Sequence, residues 1–578
     1  MRIPLVLGLA MASAACARPP SPDALEPAPA FLVPADWPLF GRTVSVSAPR
    51  AMVTSVHPRA SEAGIIILAQ GGNAVDAAVA VGFALAVVHP SAGNIGGGGF
   101  MVARLADGEL FALDYRETAP GRATPEMYLD SLGSLTDGSV TGHLAVGVPG
   151  SVAGLVEAQG RYGRLSLTDV LEPAIRLARD GFVLDEHRAM GLAHAAPRLG
   201  QFEASRATFL LPSGTAPPVG TLFRQPDLAR TLQSIADSGA GVFYEGRIAD
   251  LIVTEMERGG GLISKADLAS YRAIWREPVT LTYRAHTIFS MPPSSSGGVT
   301  MGQILNILEG FDPLPRFGSA EHVHLLAEAM RRGFTDRNHF LGDPAYVTMP
   351  LDQLLSKPYA AAQRQTIDRR RATPSTALRP GMIEGEHTTH YSVVDGDGSA
   401  VSVTTTLNSG FGSGVTVGGA GFLLNNEMDD FTGAPGQPNQ YGLVQGVANA
   451  IEPGKRMLSA MTPSIVLDPT GELLMILGTP GGPTIITTVL QVISNVIDYD
   501  MPLADAIAAP RVHHQALPDL IRFERGGLLP RAVATLKAMG HRVEQRSGFS
   551  GDVAGIIRRD AGWVGVADPR SGGGAAGY

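Results

Sequence analysis

The 578-residue sequence predicts an α+β fold in which stacked sheets lie between helical layers. The first observation is that β-prone runs gather in the middle of the chain, where two of them meet at the turn formers 395–398. The second is that helical patterns flank these runs, over 166–271 before them and over 484–508 after them. The third is a composition of 44% hydrophobic and 17% charged residues, which is ordinary for a globular protein with a substantial core.

The first residues are typical of a secretory signal peptide. Arg2 precedes an apolar run over 3–15 that is too short to span a bilayer, and small residues follow it. We therefore expect residues 1–17 to be a signal peptide and the protein to be exported to the periplasm or secreted. Cys16 is the only cysteine, so no internal disulfide can form. Its position also suits a lipoprotein with an acylated cysteine, although Ser13 stands where such proteins usually have leucine, and both alternatives stay open.

The next segment, 18–45, begins with a stretch rich in proline and alanine and is predicted to be a flexible tether. A net charge of −9 argues against a general nucleic-acid or anionic-membrane binder, so we expect no nucleic-acid partner.

Two helices are predicted next. Residues 60–70 form a helix that a Gly-Gly pair stops, and 74–88 form a helix that is apolar all round and therefore buried. The glycines at 96–99 predict a tight turn rather than a phosphate loop, because the Lys and Ser/Thr that hold phosphate and magnesium are missing. Strands are predicted over 100–105 and 110–115, with Arg116 directly after the second.

Further elements follow in the predicted layers. Helices are predicted over 167–180, 227–238, 300–309, 321–337, 484–497 and 503–508, and strands over 421–424, 464–467 and 473–477. His322 and His324 would point to different helix faces. No Cys/His/Asp/Glu cluster has the spacing of a zinc site, so we expect no metal and no cofactor.

The central hairpin carries the candidate nucleophile. Thr388 would open its first strand, after a Pro/Gly-rich, poorly patterned run over 373–386. A threonine at the start of a strand, after a loop that can be cut, is where an N-terminal nucleophile would sit. Its hydroxyl would attack the preceding peptide bond, and the freed α-amino group, with an ordinary pKa of about 7.7–8.0, would serve as the base. Most threonine-rich hairpins are only hairpins, so the surrounding sequence decides the interpretation.

Five short sequence motifs occur in this order along the chain: GGNAVDAA at 71–78, GNIGGGGF at 93–100, TTHYS at 388–392, LNNEMDDF at 424–431 and PGG at 480–482. The series resembles the γ-glutamyltransferase (glutathione hydrolase) family, and the likeness runs from about residue 50 to the end. It implies the four-layer αββα sandwich of N-terminal nucleophile hydrolases. It also implies one precursor cut between His387 and Thr388 into a heavy chain, 46–387, and a light chain, 388–578.

The resemblance also implies the catalytic roles. Thr388 would form the acyl-enzyme, and Thr406 would orient it, although Thr404 and Thr405 are equally plausible strand residues without the family. The backbone N–H groups of Gly481 and Gly482 would form the oxyanion hole. Pro483 follows where the family usually has Ser or Thr, so any donor from that position is lost.

Substrate-binding roles follow by the same resemblance. Arg116 and Ser459 would bind the α-carboxylate of a glutamyl group, for which a forked cation is suited. The acceptors for its α-ammonium would be Asn408, Glu427 and Asp430, and Tyr441 would cover the pocket from the Gly/Pro-rich loop over 435–442.

One departure bears on specificity. The family commonly has two adjacent serines on the substrate carboxylate, whereas this chain has Ser459 followed by Ala460. A lost hydrogen bond to a charged group costs about 1.5–3 kcal/mol. Either glutamyl binding is weaker, or the pocket favours another acyl group, as in related acylases that remove side chains from β-lactams. Retention of Arg116 and Asp430 favours the first outcome.

The leading hypothesis is an exported γ-glutamyltransferase/glutathione hydrolase acting on glutathione and other γ-glutamyl compounds. Its acyl-enzyme would be discharged to water or to the amine of an amino acid or peptide, and the heavy and light chains would remain together as a heterodimer. The alternatives are a same-fold amidase of the cephalosporin-acylase type and a non-catalytic binding protein.

Overall fold

The computed structural model describes residues 31–377, 388–434, 437–443, 445–560 and 562–578. Cys16, His387 and the predicted signal peptide lie outside these residues. The strands of the described part are β1 (Val44–Ala48), β2 (Met52–Ser55), β3 (Gly98–Arg104), β4 (Leu110–Tyr115), β5 (Phe182–Val183), β6 (Leu222–Phe223), β7 (Ile274–Arg276), β8 (Val279–Tyr283), β9 (His286–Ser290), β10 (Thr389–Val394), β11 (Ala400–Thr406), β12 (Ser464–Leu467), β13 (Leu473–Gly478), β14 (Val512–His513), β15 (Ile521–Phe523), β16 (Val543–Gln545), β17 (Ala554–Arg559), β18 (Gly562–Ala567) and β19 (Gly574–Gly577).

The helices lie before and after the central strands. They are α1 (Pro58–Ala69), α2 (Ala74–Val88), α3 (Ser151–Tyr162), α4 (Leu167–Asp180), α5 (Glu186–Leu199), α6 (Glu203–Phe209), α7 (Pro226–Ser238), α8 (Gly241–Tyr244), α9 (Arg247–Gly259), α10 (Lys265–Ser270), α11 (Gly297–Glu309), α12 (Ala320–Phe340), α13 (Leu351–Leu354), α14 (Lys357–Gln365), α15 (Thr484–Tyr499), α16 (Leu503–Ala508) and α17 (Pro530–Ala538). Across the described residues, no helix combines the length and the apolarity that crossing a bilayer requires.

Two seven-stranded sheets form the centre of the molecule. The first has the order β1-β18-β17-β13-β12-β9-β8, and the second has the order β19-β2-β10-β11-β3-β4-β7. β10 and β11 of the second sheet contact β13 of the first, so the sheets face each other. α1 and α2 cover the second sheet, while α11 and α15 cover the first. This is the predicted four-layer αββα sandwich.

Alternating side chains divide the core into its layers. In β10, Tyr391 and Val393 belong to the core that β10 shares with α2, whereas Val394 belongs to the core between and beyond the sheets. All fifteen residues of α2 are buried, as its apolar sequence predicts. A capping box at Asn73 and Asp76 begins this helix. Gly82 lets α2 approach the sheet, because a Cβ there would lie 2.7 Å from the Tyr391 hydroxyl.

Two predicted features are wrong. Residues 421–424 form only an isolated bridge, Thr416 to Leu423, because glycines with positive φ at 419 and 421 turn the backbone away from a regular strand. The tether prediction fails for its described part, residues 31–45. There the Trp37 indole N–H donates to the Ala508 carbonyl at 2.8 Å, and Trp37 is buried at the end of α16. Burying the large apolar side chain of Trp37 stabilises this segment against the rest of the protein, although its proline-rich composition predicts flexibility.

Candidate active site

Strand register places Thr388 at the edge of the sheet. Thr389 pairs with Thr405 in the antiparallel β10–β11 hairpin, so extending the register by one residue sets Thr388 opposite Thr406. By alternation Thr388 shares a face with His390, which lies against Gly478 at the end of β13. Thr388 therefore faces the first sheet, and it is buried with 9% of its surface exposed.

The return strand is held rigidly at this point. The Asn94 side-chain amide donates to the Thr406 carbonyl at 2.7 Å and to the Thr405 hydroxyl at 3.2 Å. The Thr406 hydroxyl accepts from the Asn408 backbone N–H at 2.8 Å. Asn408 turns the chain with φ of 74° and donates its side-chain NH₂ to the Asn426 carbonyl at 3.0 Å, which leaves its side-chain oxygen as an acceptor.

A cavity of about 340 Å³, called the inner cavity below, adjoins Thr388. Its walls combine polar and apolar side chains, which are Arg116, Arg337, Thr388, Thr406, Asn408, Glu427, Asp430, Tyr441, Leu443, Leu458, Ser459, Ala460, Met461, Gly482, Pro483 and Ile485. Nine of the predicted site residues are in this set. The tenth, Gly481, lines a larger open cleft of about 2210 Å³, called the outer cleft, which shares Thr388 and Tyr441 with the inner cavity.

Arg116 is the centre of an acidic cluster on one wall. It is fully buried, and its guanidinium pairs closely with Glu427 and Asp430 and lies 3.6 Å from Glu117. Its Nε donates to the Met457 carbonyl at 3.2 Å. Burial works to lower the pKa of Arg116, but the carboxylates of Glu427 and Asp430 raise it overall. Arg116 therefore neutralises part of the charge of these acids, and it can also bind an anionic group of a ligand.

The acids of this cluster outnumber the arginine. Burial raises the pKa values of Glu117, Glu427 and Asp430, against the lowering effect of Arg116. Glu427 also keeps one carboxylate oxygen, Oε2, without a hydrogen-bond partner among the described residues. A wall with three carboxylates and one guanidinium is suited to a bound cation. Glu117 was not predicted, although it directly follows Arg116 in the sequence.

A second wall holds Ser459 and Ala460. The Ser459 hydroxyl accepts from the Met461 backbone N–H at 3.1 Å, so its own proton remains available for donation to a ligand. The Ser459 carbonyl accepts from both the N–H and the hydroxyl of Ser296, at 2.8 and 2.6 Å. Ala460 offers only a methyl group to the cavity.

Arg337 is a charged cavity residue that sequence reasoning missed. It lies in the last turn of α12, next in sequence to polar residues and far from every other site residue. Only 1% of its surface is exposed. The one available signal was the amphipathic pattern of the helix, which does not separate an arginine aimed at a cavity from one aimed at solvent.

Gly481 and Gly482 lie between β13 and α15, with φ values of 136° and 52°. A Cβ at Gly481 would lie 2.4 Å from the Thr484 hydroxyl, so only glycine fits this turn. The turn opens into the N-terminus of α15, a sixteen-residue helix whose dipole favours negative charge at that end. Backbone and helix dipole together are suited to a developing oxyanion.

Tyr441 lies between the two cavities and is buried. Its backbone N–H donates to the Asn439 side chain at 3.0 Å, and the Gln440 N–H donates to the Asp429 carboxylate at 3.1 Å. Asp429 thus fixes the described part of the predicted covering loop, whereas residues 435–436 lie outside the described residues.

One group within the described residues has the composition of a metal site: His324, Glu328 and His541. Its atoms are already engaged. His324 Nδ1 and His541 Nε2 share a hydrogen bond at 2.7 Å, and Glu328 pairs with Arg332 at 2.7 Å. The group lies on α12 and near α17, and none of its members lines the inner cavity or the outer cleft.

Comparison with known proteins gives a consistent result. Residues 60–578 match the family described as gamma-glutamyltranspeptidase. The chain is 47% identical over 532 residues to a glutathione hydrolase proenzyme of Escherichia coli K12, covering 91% of each chain. It is 41% identical to an acylase ACY 1 proenzyme of Pseudomonas sp. SE83, covering 88% of this chain and 90% of that one. A crystal structure of cephalosporin acylase from Bacillus halodurans superposes with a TM-score of 0.81 at 29% identity, covering 94% of this chain and 99% of the other.

Proposed function

The chain belongs to the gamma-glutamyltranspeptidase family, and from this premise we propose that it is a glutathione hydrolase and γ-glutamyltransferase with Thr388 as its nucleophile. One observation carries the proposal. The candidate nucleophile, an acidic wall, a carboxylate-binding wall and a glycine turn at a helix N-terminus line a single cavity of about 340 Å³. This charge pattern fits the zwitterionic end of a γ-glutamyl group.

The enzyme would first make its own nucleophile. The Thr388 hydroxyl attacks the carbonyl carbon of His387, the C–N bond to Thr388 breaks, and an ester forms while the amine takes up a proton. Water then hydrolyses the ester, which frees the His387 carboxylate and the Thr388 hydroxyl. The products are a heavy chain ending at His387 and a light chain beginning at Thr388, held together by the sheets that both contribute to.

Acyl transfer would use the same hydroxyl. The freed α-amino group of Thr388 accepts the hydroxyl proton as the oxygen attacks the γ-carbonyl carbon of the donor. The Gly481 and Gly482 N–H groups stabilise the oxyanion, and Thr406 orients the nucleophile. The leaving amine takes the proton, and an ester to Thr388 remains. Water, or an amine entering from the outer cleft, then attacks the ester carbonyl and releases glutamate or a new γ-glutamyl amide.

The two walls would hold the glutamyl end. Glu427, Asp430 and the Asn408 side-chain oxygen accept hydrogen bonds from the α-ammonium, and Ser459 donates to the α-carboxylate. Tyr441 covers the bound group. Arg116 contributes positive charge near the carboxylate while it holds Glu427 and Asp430 in place.

A second candidate is a β-lactam side-chain acylase, which Ala460 and the similarity to acylase proenzymes support. An acyl group such as glutaryl has a carboxylate but no ammonium. It would place no cation against the excess carboxylates around Arg116, so the acidic wall favours the γ-glutamyl donor.

Denaturing electrophoresis tests the nucleophile. We expect purified protein to give two bands, with Thr388 as the first residue of the smaller one, and we expect Thr388→Ala to give one uncut and inactive band. Thr388→Ser is the matched control, because it keeps the hydroxyl and should still be processed. Active protein whose chain is continuous through position 388 would refute the proposal.

Release of a chromophore from anilide donors separates the two enzymes. The γ-glutamyl anilide should be cleaved in preference to the glutaryl anilide, which lacks the amino group. The reverse preference would assign the chain to the acylases.

We also propose that the protein is exported, on the basis of the signal-like residues 1–17. Fractionation of cells producing the full chain tests this, and labelling with a radioactive fatty acid, compared between the natural chain and Cys16→Ser, tests lipidation.

A further inference from the structure

The inner cavity contains two buried arginines in opposite electrostatic situations. Arg116 pairs with three carboxylates. Arg337 forms no ion pair with a described carboxylate, and its hydrogen bonds go to neutral groups. A buried guanidinium without a counter-ion is strongly disfavoured, so its position in a ligand cavity is informative.

The hydrogen bonds of Arg337 fix its position but leave one donor unused. Nε donates to the Ser296 hydroxyl at 2.9 Å, and Nη1 donates to the side-chain oxygens of Asn338 and Gln445 at 3.0 and 3.3 Å. Nη2 is buried and has no hydrogen-bond partner among the described residues. Burial lowers the pKa of Arg337 to about 10, and nearby Asp430 offsets this only in part.

The same contacts place Arg337 beside the carboxylate-binding wall. Ser296, which accepts from Arg337, donates through its hydroxyl and its N–H to the Ser459 carbonyl. Arg337 and Ala460 both line the inner cavity. Arg337 is therefore linked, through Ser296, to the wall where this chain has a methyl group in place of a second hydroxyl.

Most donors of Arg116 are already used. One N–H of each terminal nitrogen is donated to Glu427 or Asp430, and the Nε–H is donated to the Met457 carbonyl, which leaves two of its five N–H groups. Ser459 supplies one hydroxyl. A carboxylate bound at this wall can therefore accept from the Ser459 hydroxyl and from Nη2 of Arg337, two donors without an acceptor among the described residues.

We propose that Arg337 is a specificity-determining residue that binds the α-carboxylate of the γ-glutamyl donor, supplying the hydrogen bond that Ala460 cannot. The assignment rests on the proposed function. It predicts that Arg337 discriminates between acyl groups by the presence of a carboxylate, whatever their amino group.

Three anilide donors test the assignment: γ-glutamyl, with both charged groups; glutaryl, with the carboxylate alone; and 4-aminobutyryl, with the amine alone. For Arg337→Gln we expect KM to rise about 10- to 100-fold for the first two donors and to stay within about twofold for the third. Arg337→Lys should recover part of the lost affinity, because lysine keeps the positive charge but lacks the forked pair of donors of a guanidinium. Equal losses for all three donors would show a purely structural role and overturn the assignment.

Two further variants separate binding from scaffolding. Asn338→Ala removes a neutral partner of Nη1 and leaves Nη2 in place, so its donor preference should match that of the unaltered enzyme. Adding Ala460→Ser to Arg337→Gln should restore several-fold of the lost affinity for the γ-glutamyl and glutaryl donors and should leave the 4-aminobutyryl donor unchanged. If Asn338→Ala reproduces the Arg337→Gln pattern, or if the added serine restores nothing, Arg337 does not bind the carboxylate.

Calorimetric binding of L-glutamate and 4-aminobutyrate gives a readout that does not depend on turnover. Arg337→Gln, or Arg337→Lys if the first variant does not fold, should weaken glutamate binding and leave 4-aminobutyrate binding unchanged. Equal weakening overturns the assignment. Protein that shows this discrimination but releases no chromophore from any donor would contradict the proposed function and leave the role of Arg337 in place.

Discussion

The two charged walls of the inner cavity differ in how completely their groups are paired. On the acidic wall, Arg116 neutralises part of the charge of Glu117, Glu427 and Asp430, and the wall keeps an excess of carboxylate. On the second wall, Ser459 keeps a free proton, Ala460 contributes no polar group, and Arg337 keeps a free donor.

This difference indicates which wall controls specificity for the ammonium of a ligand and which controls specificity for its carboxylate. The acidic wall holds its own geometry through ion pairs inside the protein, so it is organised before a ligand arrives. The second wall has a hydroxyl and a guanidinium without a fixed counter-ion, so a bound carboxylate completes it. Selection for an ammonium should therefore depend strongly on each paired acid, whereas selection for a carboxylate should respond to a single hydroxyl.

The largest effect should come from the acidic wall. Asp430→Asn keeps the shape of the side chain but removes its charge from Arg116 and from the donor's ammonium. Truncating a buried, hydrogen-bonded charge pair costs about 2–5 kcal/mol, so kcat/KM for the γ-glutamyl anilide should fall about 30-fold to several thousand-fold. Steady-state kinetics measure this.

The glutaryl anilide is the control for that variant. It has no ammonium to lose, and Arg116, released from Asp430, becomes available to its carboxylate. The loss for the glutaryl donor should therefore be much smaller than for the γ-glutamyl donor. An equal loss for both donors would mean that Asp430 only maintains the structure of the cavity, and it would refute the claim that the acidic wall selects for an ammonium.

A smaller effect, of opposite sign, should come from the other wall. Ala460→Ser places a second hydroxyl beside Ser459, and a hydrogen bond to a charged group contributes about 1.5–3 kcal/mol. We expect KM for the γ-glutamyl anilide to fall several-fold, which is less than this bond contributes alone because Arg337 already donates to the carboxylate, with no change for the 4-aminobutyryl anilide. Ala460→Cys, similar in size but a weak donor, is the matched control and should give little gain. An unchanged KM in the serine variant would mean that Arg337 and Ser459 already satisfy the carboxylate.

Local sequence patterns predicted much of this architecture. The β12 strand and the α4 and α16 helices have the predicted bounds, because their hydrophobic periodicity is strong and turn residues delimit them. The β10–β11 hairpin follows from its Asp-Gly turn and its β-branched residues, and its register alone sets Thr388 opposite Thr406. The family resemblance supplied the acidic wall and the glycine turn.

Features that depend on distant contacts could not be predicted in this way. Arg337 reaches the cavity only because α12 brings it to Ser296 and Gln445, which are 41 and 108 residues away in sequence. Trp37 finds its partner at Ala508, 471 residues away. Neither position carries a local signal, since an arginine in a helix and a tryptophan in a proline-rich segment are compatible with exposure as well as burial.

The smallest predicted effect is the release of protons when a ligand binds. Burial raises the pKa of Glu117 to about 7 and also raises the pKa values of Glu427 and Asp430, so this cluster holds more protons near neutrality than ordinary carboxyl groups do. An arriving ammonium stabilises the ionised acids and lowers their pKa values, so L-glutamate should release a fraction of a proton on binding, and its affinity should rise with pH through neutrality. Glutarate brings only negative charge and should release none. Calorimetry in two buffers of different ionisation enthalpy measures the difference, and equal proton release by both ligands would show that the acidic wall does not face the ammonium.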